Sequence, residues 1–240
     1  MIWTEKYRVT SHDVDMTGAF RVAAMMRYMQ ETACRHMDGT GPTEKELRDA
    51  GRAFLIARIV IETHETLRRG DEFELETWAE DSRGISFGRV FIIRSGEKLV
   101  AVARSVWVLF DFVARRIMRV DDIEHLYGSE PPLDDMELPR RLVLPEGMEL
   151  EACGEHIVDY ADIDVNGHMN NTVYADYLCG QVPEIRAGEA RVSTLFINYS
   201  NESRLDDRLE VSRGGQRGEW YFRTHRGDGK LNVEARITTV

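Results

Sequence analysis

Cysteine is scarce in this chain, with three residues in 240, namely Cys34, Cys153 and Cys179. They are odd in number, far apart and never spaced as Cys-x-x-Cys, so neither a disulfide framework nor a zinc site is indicated. The seven histidines show no His-x-His or His-Glu-x-x-His spacing, and we expect no metal. Free thiols fit a reducing compartment, so we expect a cytoplasmic protein.

Long apolar runs and an excess of positive charge are also lacking. No run reaches the roughly 18 apolar residues of a membrane-spanning helix, and the amino terminus lacks the apolar segment of a signal peptide. We therefore expect no membrane span. The formal net charge is −11, and because phosphate binding needs concentrated Lys and Arg, a nucleic-acid partner is not expected.

What the chain does contain is a short segment that occurs twice. Residues 13–18 read DVDMTG and residues 162–167 read DIDVNG, 149 positions later. Residues 61–75 align with residues 197–211 at a distance of 136. Solenoid repeats recur at about 20–50 residues, so similarity at this longer distance indicates duplication of a whole domain.

The two copies differ at three polar positions. Thr17, Ala19 and Thr66 in the first half correspond to Asn166, His168 and Glu202 in the second. A structural turn would be expected to look alike in both copies. We therefore predict one structural half and one catalytic half.

Periodicity predicts the elements of each half. A helical stripe of apolar residues runs through residues 19–37, followed by period-two alternation typical of strands. Turn signals at residues 95–97 and 226–229 join strand-like runs, which indicates antiparallel pairing. A second helix is predicted at about 170–180. A helix wrapped by an antiparallel sheet, present twice, is an α+β architecture and points to a double hotdog.

The domain boundaries are predicted from a proline-rich segment. Residues 128–147 contain four prolines and fit neither the helical nor the strand period, so we predict a linker there. The predicted domains are residues 1–127 and 148–240. A double hotdog already contains the pairing that single hotdogs achieve by dimerising, so a monomer or a homodimer is expected.

The motif of the second half carries groups suited to hydrolysis. If the segment is extended, Asp164, Asn166 and His168 project to one side. An asparagine at 170–171 can cap the following helix, whose positive end favours a neutral imidazole able to act as a base, whereas Glu202 opposes that effect. Ester or thioester hydrolysis needs an activated water and a donor to the carbonyl oxygen. Spacing alone is weak support, because Asn-Gly before a helix is often turn chemistry.

Three stretches resemble the acyl-acyl-carrier-protein thioesterase family of plants and bacteria. They are residues 12–33 (HDVDMTGAFRVAAMMRYMQETA), 162–178 (DIDVNGHMNNTVYADYL) and 197–203 (INYSNES), so the resemblance covers most of the chain. It implies a double-hotdog fold without a cofactor. It also implies hydrolysis of a fatty acyl chain from the phosphopantetheine of acyl carrier protein, to free fatty acid and carrier.

The resemblance also assigns residues. The family's Asp-x-Asn-x-His falls on Asp164, Asn166 and His168, and its downstream glutamate falls on Glu202. Plant members carry a cysteine after that glutamate, where this chain has Ser203, so a thiolate mechanism cannot operate there. Because a serine would need strong activation to replace a thiolate, we favour attack by water activated by Glu202 with His168. Asn166 would position substrate or water, and Asp164 would orient the cluster.

The first half contributes most of the acyl-binding cavity in the resembled family. Met25, Met26 and Met29 are candidates to line it, since methionine adapts to flexible apolar ligands, although ordinary helix packing is as good an explanation. Two alternative functions stay open. One is the same hydrolysis on acyl-CoA, and the other is a non-hydrolytic hotdog that binds acyl thioesters or acts as a hydratase, because a fold does not determine a reaction.

Overall fold

The computed structural model describes residues 1–80, 82–119, 129–130 and 136–240. The chain divides into two compact units. The first comprises Met1–Phe20, Ala24–Ile59 and His64–Leu138, and the second comprises Arg21–Ala23, Val60–Thr63 and Pro139–Val240. Of the predicted linker, residues 128 and 131–135 lie outside the described residues, and residues 136–147 form neither helix nor strand.

The first half of the chain forms an antiparallel sheet with one long helix. Its elements are β1 (Trp3–Arg8), α1 (Val22–Thr40), α2 (Glu44–Asp49), β2 (Arg52–Thr63), β3 (Glu72–Glu80), β4 (Phe87–Ser95), β5 (Lys98–Asp111), β6 (Arg116–Ile117) and β7 (Ser129–Glu130). The main strands are ordered β1-β3-β4-β5-β2. Antiparallel ladders join β1 to β3, β3 to β4 and β4 to β5, and the short β7 pairs parallel with β3.

The second half repeats this arrangement. Its elements are β8 (Glu151–Ile157), α3 (Asn171–Gly180), α4 (Pro183–Arg186), β9 (Val192–Tyr199), β10 (Arg208–Gln216), β11 (Glu219–Arg226) and β12 (Leu231–Thr239), with a single 3-10 turn at Tyr160–Asp162. The strand order is β9-β12-β11-β10-β8, and every neighbouring pair is antiparallel. The predicted antiparallel α+β organisation is therefore confirmed in both halves.

Both predicted helices are present. In α1 the first part of the predicted stripe is buried, with Val22, Met26 and Met29 at 6%, 4% and 2% exposure, and its later residues Ala33 and Met37 are half-buried. The helix α3 begins after Asn170, whose side-chain oxygen accepts a hydrogen bond from Thr172 N at 2.9 Å. This satisfies one of the free N–H groups of the first turn, as the sequence predicted.

Each helix packs against its own sheet through aromatic rings. In the first unit Tyr28 of α1 lies edge-on to Phe73 of β3, with ring centroids 5.2 Å apart. In the second unit Tyr174 of α3 meets Tyr199 of β9 at 5.9 Å, and the Tyr199 hydroxyl donates to the carbonyl of Asn171. Such pairs add to the free energy gained by burying the rings.

The duplication extends to individual hydrogen bonds. Main-chain N–H groups and carbonyls that correspond at the 149- and 136-residue offsets form the same hydrogen bonds in both units. The pairs are Phe20 N to Leu67 O (2.9 Å) and Met169 N to Ser203 O (2.8 Å), then Val9 N to Asp71 O (2.9 Å) and Val158 N to Asp207 O (2.9 Å). The loop before each helix is thus tied to the loop after the next long strand by the same bond.

A buried imidazole–guanidinium contact lies in the first unit. His36 of α1 is 1% exposed, and its Nδ1 lies 3.0 Å from Nη1 of Arg89, which also donates to Thr77 Oγ1. A guanidinium has no acceptor, so Nδ1 of His36 accepts and the ring is neutral. Burial, and after it the nearby Arg89 charge, lower the pKa of His36 from its usual 6.5 to about 4.

We expect His36 to weaken the fold in acid. Between pH 6.5 and about 4 the unfolded chain binds a proton that the folded ring resists, so the free energy of unfolding falls as pH falls through this window. The contribution of one such group is at most about 1.4 kcal/mol per pH unit. His36→Gln keeps an acceptor for Arg89 but cannot titrate, so its urea-unfolding free energy should decline less steeply over the same interval. The exposed His12→Gln is the control, and equal slopes for wild type and His36→Gln would contradict the assignment.

Candidate active site

The repeated motif of the second unit is a tight turn just before α3. Asp164 N donates to the carbonyl of His168 at 2.9 Å, and Gly167 N donates to the carbonyl of Asp164 at 3.0 Å. Gly167 has φ +77°, a conformation that favours glycine. The side chain of Asp164 accepts from Asn166 N at 2.8 Å, which is an Asx turn.

This geometry corrects one expectation from the sequence. The segment from Asp164 to His168 is not extended, so the alternation that would project three side chains to one side does not apply. The Asp164 carboxylate is directed to the turn's own backbone instead. Asn166 is exposed at the tip of the turn, and His168 stands on its returning arm.

His168 is paired with the glutamate predicted to act with it. Its Nε2 lies 3.1 Å from Oε2 of Glu202, and the two side chains are 21% and 44% exposed. The hydrogen bond from Met169 N to the carbonyl of Ser203, at 2.8 Å, ties together the residues that follow each of them. The imidazole–carboxylate pair is therefore fixed by the backbone and still reaches solvent.

Glu202 is held by two arginines that the sequence analysis did not predict as site residues. Arg204 Nη2 donates to its other oxygen, Oε1, at 3.0 Å, and Arg226 Nη1 donates to its main-chain carbonyl at 2.9 Å. Arg226 is itself held by Asp228. No asymmetry in sequence pointed to Arg204, because Arg68 occupies the corresponding position in the first half.

The first copy of the motif forms the same turn without the imidazole–carboxylate pair. Asp15 Oδ1 accepts from Thr17 N at 2.8 Å, from Thr17 Oγ1 at 2.7 Å and from Ala19 N at 3.1 Å. Its carboxylate is thus occupied by the turn itself. Ala19 and Thr66 stand where the second unit has His168 and Glu202, so this copy lacks the counterparts of that imidazole and that carboxylate.

Ser203 does not offer its hydroxyl to a substrate in this structure. The residue is 0% exposed, and its Oγ lies 2.9 Å from Nδ2 of Asn232, which is also 0% exposed. A nucleophile needs access to the carbonyl it attacks and a base within hydrogen-bond reach. The amide group of Asn232 can only donate here, so it cannot take the serine proton.

The three methionines proposed to contact an acyl chain lie in the buried face of α1. Met25, Met26 and Met29 are 2%, 4% and 2% exposed, a position compatible with core packing and with a ligand role alike.

Within the described ranges, no group of three or more His, Cys, Asp or Glu is placed to hold a metal ion. No described helix is both long enough and apolar enough to span a bilayer.

Comparisons with known proteins find one family along the whole chain. The acyl-ACP thioesterase N-terminal domain matches residues 1–127, and the acyl-ACP thioesterase C-terminal domain matches residues 149–238. Oleoyl-acyl carrier protein thioesterase 1, chloroplastic, from Arabidopsis thaliana is 26% identical over 224 residues, which cover 85% of this chain and 61% of that protein. Palmitoyl-acyl carrier protein thioesterase, chloroplastic, from Gossypium hirsutum is 20% identical, covering 88% and 54%. The chain thus spans less than two thirds of these relatives' length.

Solved structures show the fold. An acyl-ACP thioesterase from Bacteroides thetaiotaomicron superposes with a TM-score of 0.87 at 20% identity, covering 100% of this chain and 98% of that one. The 12:0-ACP thioesterase from Umbellularia californica gives 0.79 at 19%, covering 100% and 97%. The predicted double hotdog is therefore confirmed. Because models of both family domains match in order along the chain, this protein belongs to the acyl-ACP thioesterase family.

Proposed function

We propose that this protein hydrolyses fatty acyl-acyl carrier protein, releasing a free fatty acid and the carrier with its phosphopantetheine thiol. The observation that carries the proposal is the His168–Glu202 pair, with Nε2 and Oε2 3.1 Å apart. His168 belongs to the turn that exposes Asn166, and Glu202 lies on the loop after β9. Family membership supports the substrate class. The relatives' names describe thioesterases acting on oleoyl and palmitoyl carriers.

The pair supplies a base for water. In our mechanism the water oxygen attacks the thioester carbonyl carbon while its proton passes to the His168–Glu202 pair. The tetrahedral intermediate then collapses, the carbon–sulfur bond breaks, and the departing sulfur receives the proton from the pair. The carbonyl oxygen gains negative charge during the attack, and the amide N–H groups of exposed Asn166 are suited to bind that oxygen or to orient the water.

Asp164 acts on the site through the backbone. By accepting from Asn166 N it sets the turn that carries Asn166 and returns the chain to His168. Its role in our proposal is therefore to orient the cluster. Direct attack by water is favoured over an acyl-enzyme because Ser203, the residue beside Glu202, is buried and hydrogen-bonded to Asn232. The protein is proposed to act in the cytoplasm as a monomer or homodimer.

Glu202→Gln tests the base. The amide has the shape of the carboxylate but cannot share a proton, so kcat for thioester hydrolysis should fall by about 10²- to 10⁴-fold, the usual range for a general base. Thiol release would be followed with a chromogenic disulfide. Thr66→Ala, at the corresponding position of the first half, is the matched control and should keep wild-type turnover. Unchanged kcat in folded Glu202→Gln would refute the role.

A panel of matched acyl chains on acyl carrier protein and on CoA tests the carrier. Both carriers present the same phosphopantetheine arm, and a protein carrier adds contacts beyond it. We expect kcat/KM to be at least about tenfold higher on the protein carrier, which corresponds to about 1.4 kcal/mol of additional interaction. Preference for acyl-CoA would assign the alternative substrate, and binding without thiol release would assign a non-hydrolytic role.

We further propose that Met25, Met26 and Met29 contact the acyl chain, and Met29→Phe tests this. The larger ring takes space from the ligand, so preference should shift to shorter chains. Each methylene that loses its apolar contact costs about 0.8 kcal/mol, or about fourfold in kcat/KM. Leu178→Phe, at the equivalent position of α3, enlarges an equally buried residue and should leave the chain-length profile unchanged. A profile unaltered by Met29→Phe would leave these methionines a packing role alone.

A further inference from the structure

A buried polar cluster lies beneath the loop that carries Glu202. It consists of Tyr174 on α3, Ser203, Thr224 on β11 and Asn232 on β12, and these four side chains are 3%, 0%, 1% and 0% exposed. Asn232 Nδ2 donates to Ser203 Oγ at 2.9 Å, to the Tyr174 hydroxyl at 3.2 Å and to the carbonyl of Asn201. Its Oδ1 accepts from Thr224 Oγ1 at 2.9 Å. Both polar atoms of the amide group are therefore engaged.

The main chain of Asn232 holds the same loop. Its carbonyl accepts from Ser200 N at 2.9 Å and from Asn201 N at 3.2 Å. Together with the side-chain bonds to Asn201 O and Ser203 Oγ, these contacts fix the loop on both sides of Glu202. Asn232 of β12 thus holds the backbone from which the Glu202 carboxylate projects, together with the bonds from Met169 N to Ser203 O and from Arg226 to Glu202 O.

The first unit identifies what Asn232 replaces. The carbonyl of Val100 in β5 accepts from His64 N at 2.8 Å and from Glu65 N at 3.3 Å. His64 and Glu65 are the counterparts of Ser200 and Asn201 at the 136-residue offset, so Val100 corresponds to Asn232.

The other three positions follow in the same way. Met25 and Leu67 correspond to Tyr174 and Ser203 at the two sequence offsets. Ile93 corresponds to Thr224, because the β4–β5 and β11–β12 ladders each shift register immediately after these residues.

The same four positions are therefore apolar in one unit and polar in the other. Met25, Leu67, Ile93 and Val100 are buried, at 2%, 6%, 0% and 0% exposure. An apolar set is thus sufficient to build this part of the fold. Burying hydroxyl and amide groups costs free energy unless every group is bonded, so the polar set needs a reason beyond packing.

We propose that Asn232, together with Tyr174, Ser203 and Thr224, is a positioning residue for Glu202. The inference rests on the proposed function. Glu202 is 44% exposed and its carboxylate lies between His168 and the exposed Arg204. A surface ion pair imposes little order on either side chain, so Arg204 alone does not keep Oε2 on the imidazole. The hydrogen bonds of Asn232 supply the fixed backbone that does.

The test is a double-mutant cycle between Asn232→Val, which introduces the first unit's residue, and Glu202→Gln. If Asn232 acts through Glu202, Asn232→Val alone lowers kcat about 10- to 100-fold with KM changed less than about threefold. In the Glu202→Gln background it causes no further loss. A purely structural contribution would instead multiply the loss in both backgrounds, and that result, or wild-type kcat in Asn232→Val, would overturn the inference.

Glu184→Gln is the matched control for a buried polar network outside the site. Glu184 is 4% exposed, and its Oε1 accepts from Gly218 N, Trp220 Nε1 and Thr239 Oγ1 at 2.9–3.0 Å. The Glu184→Gln substitution should lower the midpoint of thermal unfolding without changing kcat.

A variant with four substitutions keeps the test valid if Asn232→Val alone fails to fold. Tyr174→Met, Ser203→Leu, Thr224→Ile and Asn232→Val together install the complete apolar set of the first unit. A crystal structure should then show Glu202 Oε2 beyond 4 Å from His168 Nε2, whereas retention of the contact would overturn the inference. This readout does not require activity. A wild type that cleaves no acyl thioester therefore removes the proposed function without preventing the structural test.

Discussion

The hydrogen bond from Met169 N to the carbonyl of Ser203 is the constraint on which the site depends. At 2.8 Å it joins the turn before α3 to the loop after β9, and it brings His168 and Glu202 side by side. The first unit has the same bond, from Phe20 N to Leu67 O. The backbone arrangement therefore belongs to the fold, and the second unit adds the imidazole and the carboxylate that we propose to be catalytic.

The duplicated chain places different demands on its two copies. In the first, Asp15 satisfies its own turn and the positions beneath the following loop are filled by apolar side chains. In the second, equivalent positions carry hydroxyl and amide groups that must all find partners. A network of this kind fixes one geometry more strictly than apolar packing does, because each bond restricts both distance and direction. The proposed catalytic pair would benefit from that restriction, whereas a structural turn does not need it.

Local patterns predicted the elements because they depend on neighbours in sequence. The residue spacing of α1, the cap at Asn170 and the turn at residues 226–229 are each encoded within a few successive residues. The extended path on which the alternation of Asp164, Asn166 and His168 depends is not adopted, because Asp164 and Gly167 form a turn. An Asx turn with a glycine at positive φ was readable from the same letters.

Asn232 was missed for a different reason. The offset between corresponding residues falls from 149 at the motif to 136 at Glu202, mainly because α3 and β9 are shorter than α1 and β2, and to 132 at Asn232, because the connection from β10 to β11 is shorter than that from β3 to β4. At a fixed offset of 136, Asn232 would be compared with the wrong residue of the first half. The matching hydrogen bonds from Ser200 N to Asn232 O and from His64 N to Val100 O show that its counterpart is Val100. A buried asparagine in a strand is also indistinguishable by sequence from an exposed one, because burial is decided by what packs on that face of the sheet, here Tyr174 of α3 and the loop of Ser203.

The surroundings of Glu202 show why its main chain must be held by buried residues. Its two carboxylate oxygens have different partners. One contacts the imidazole of His168, a group that can be neutral or charged, and the other contacts the guanidinium of Arg204, which is always charged. The charged partner attracts the carboxylate over a longer range but is 68% exposed, so solvent and salt weaken that attraction. Side-chain electrostatics alone would let the carboxylate move between the two. Since Arg226 and Asn232 hold the main chain on both sides of Glu202, the side chain has only its own rotamers to choose from, and the contact with His168 is favoured by geometry rather than by charge.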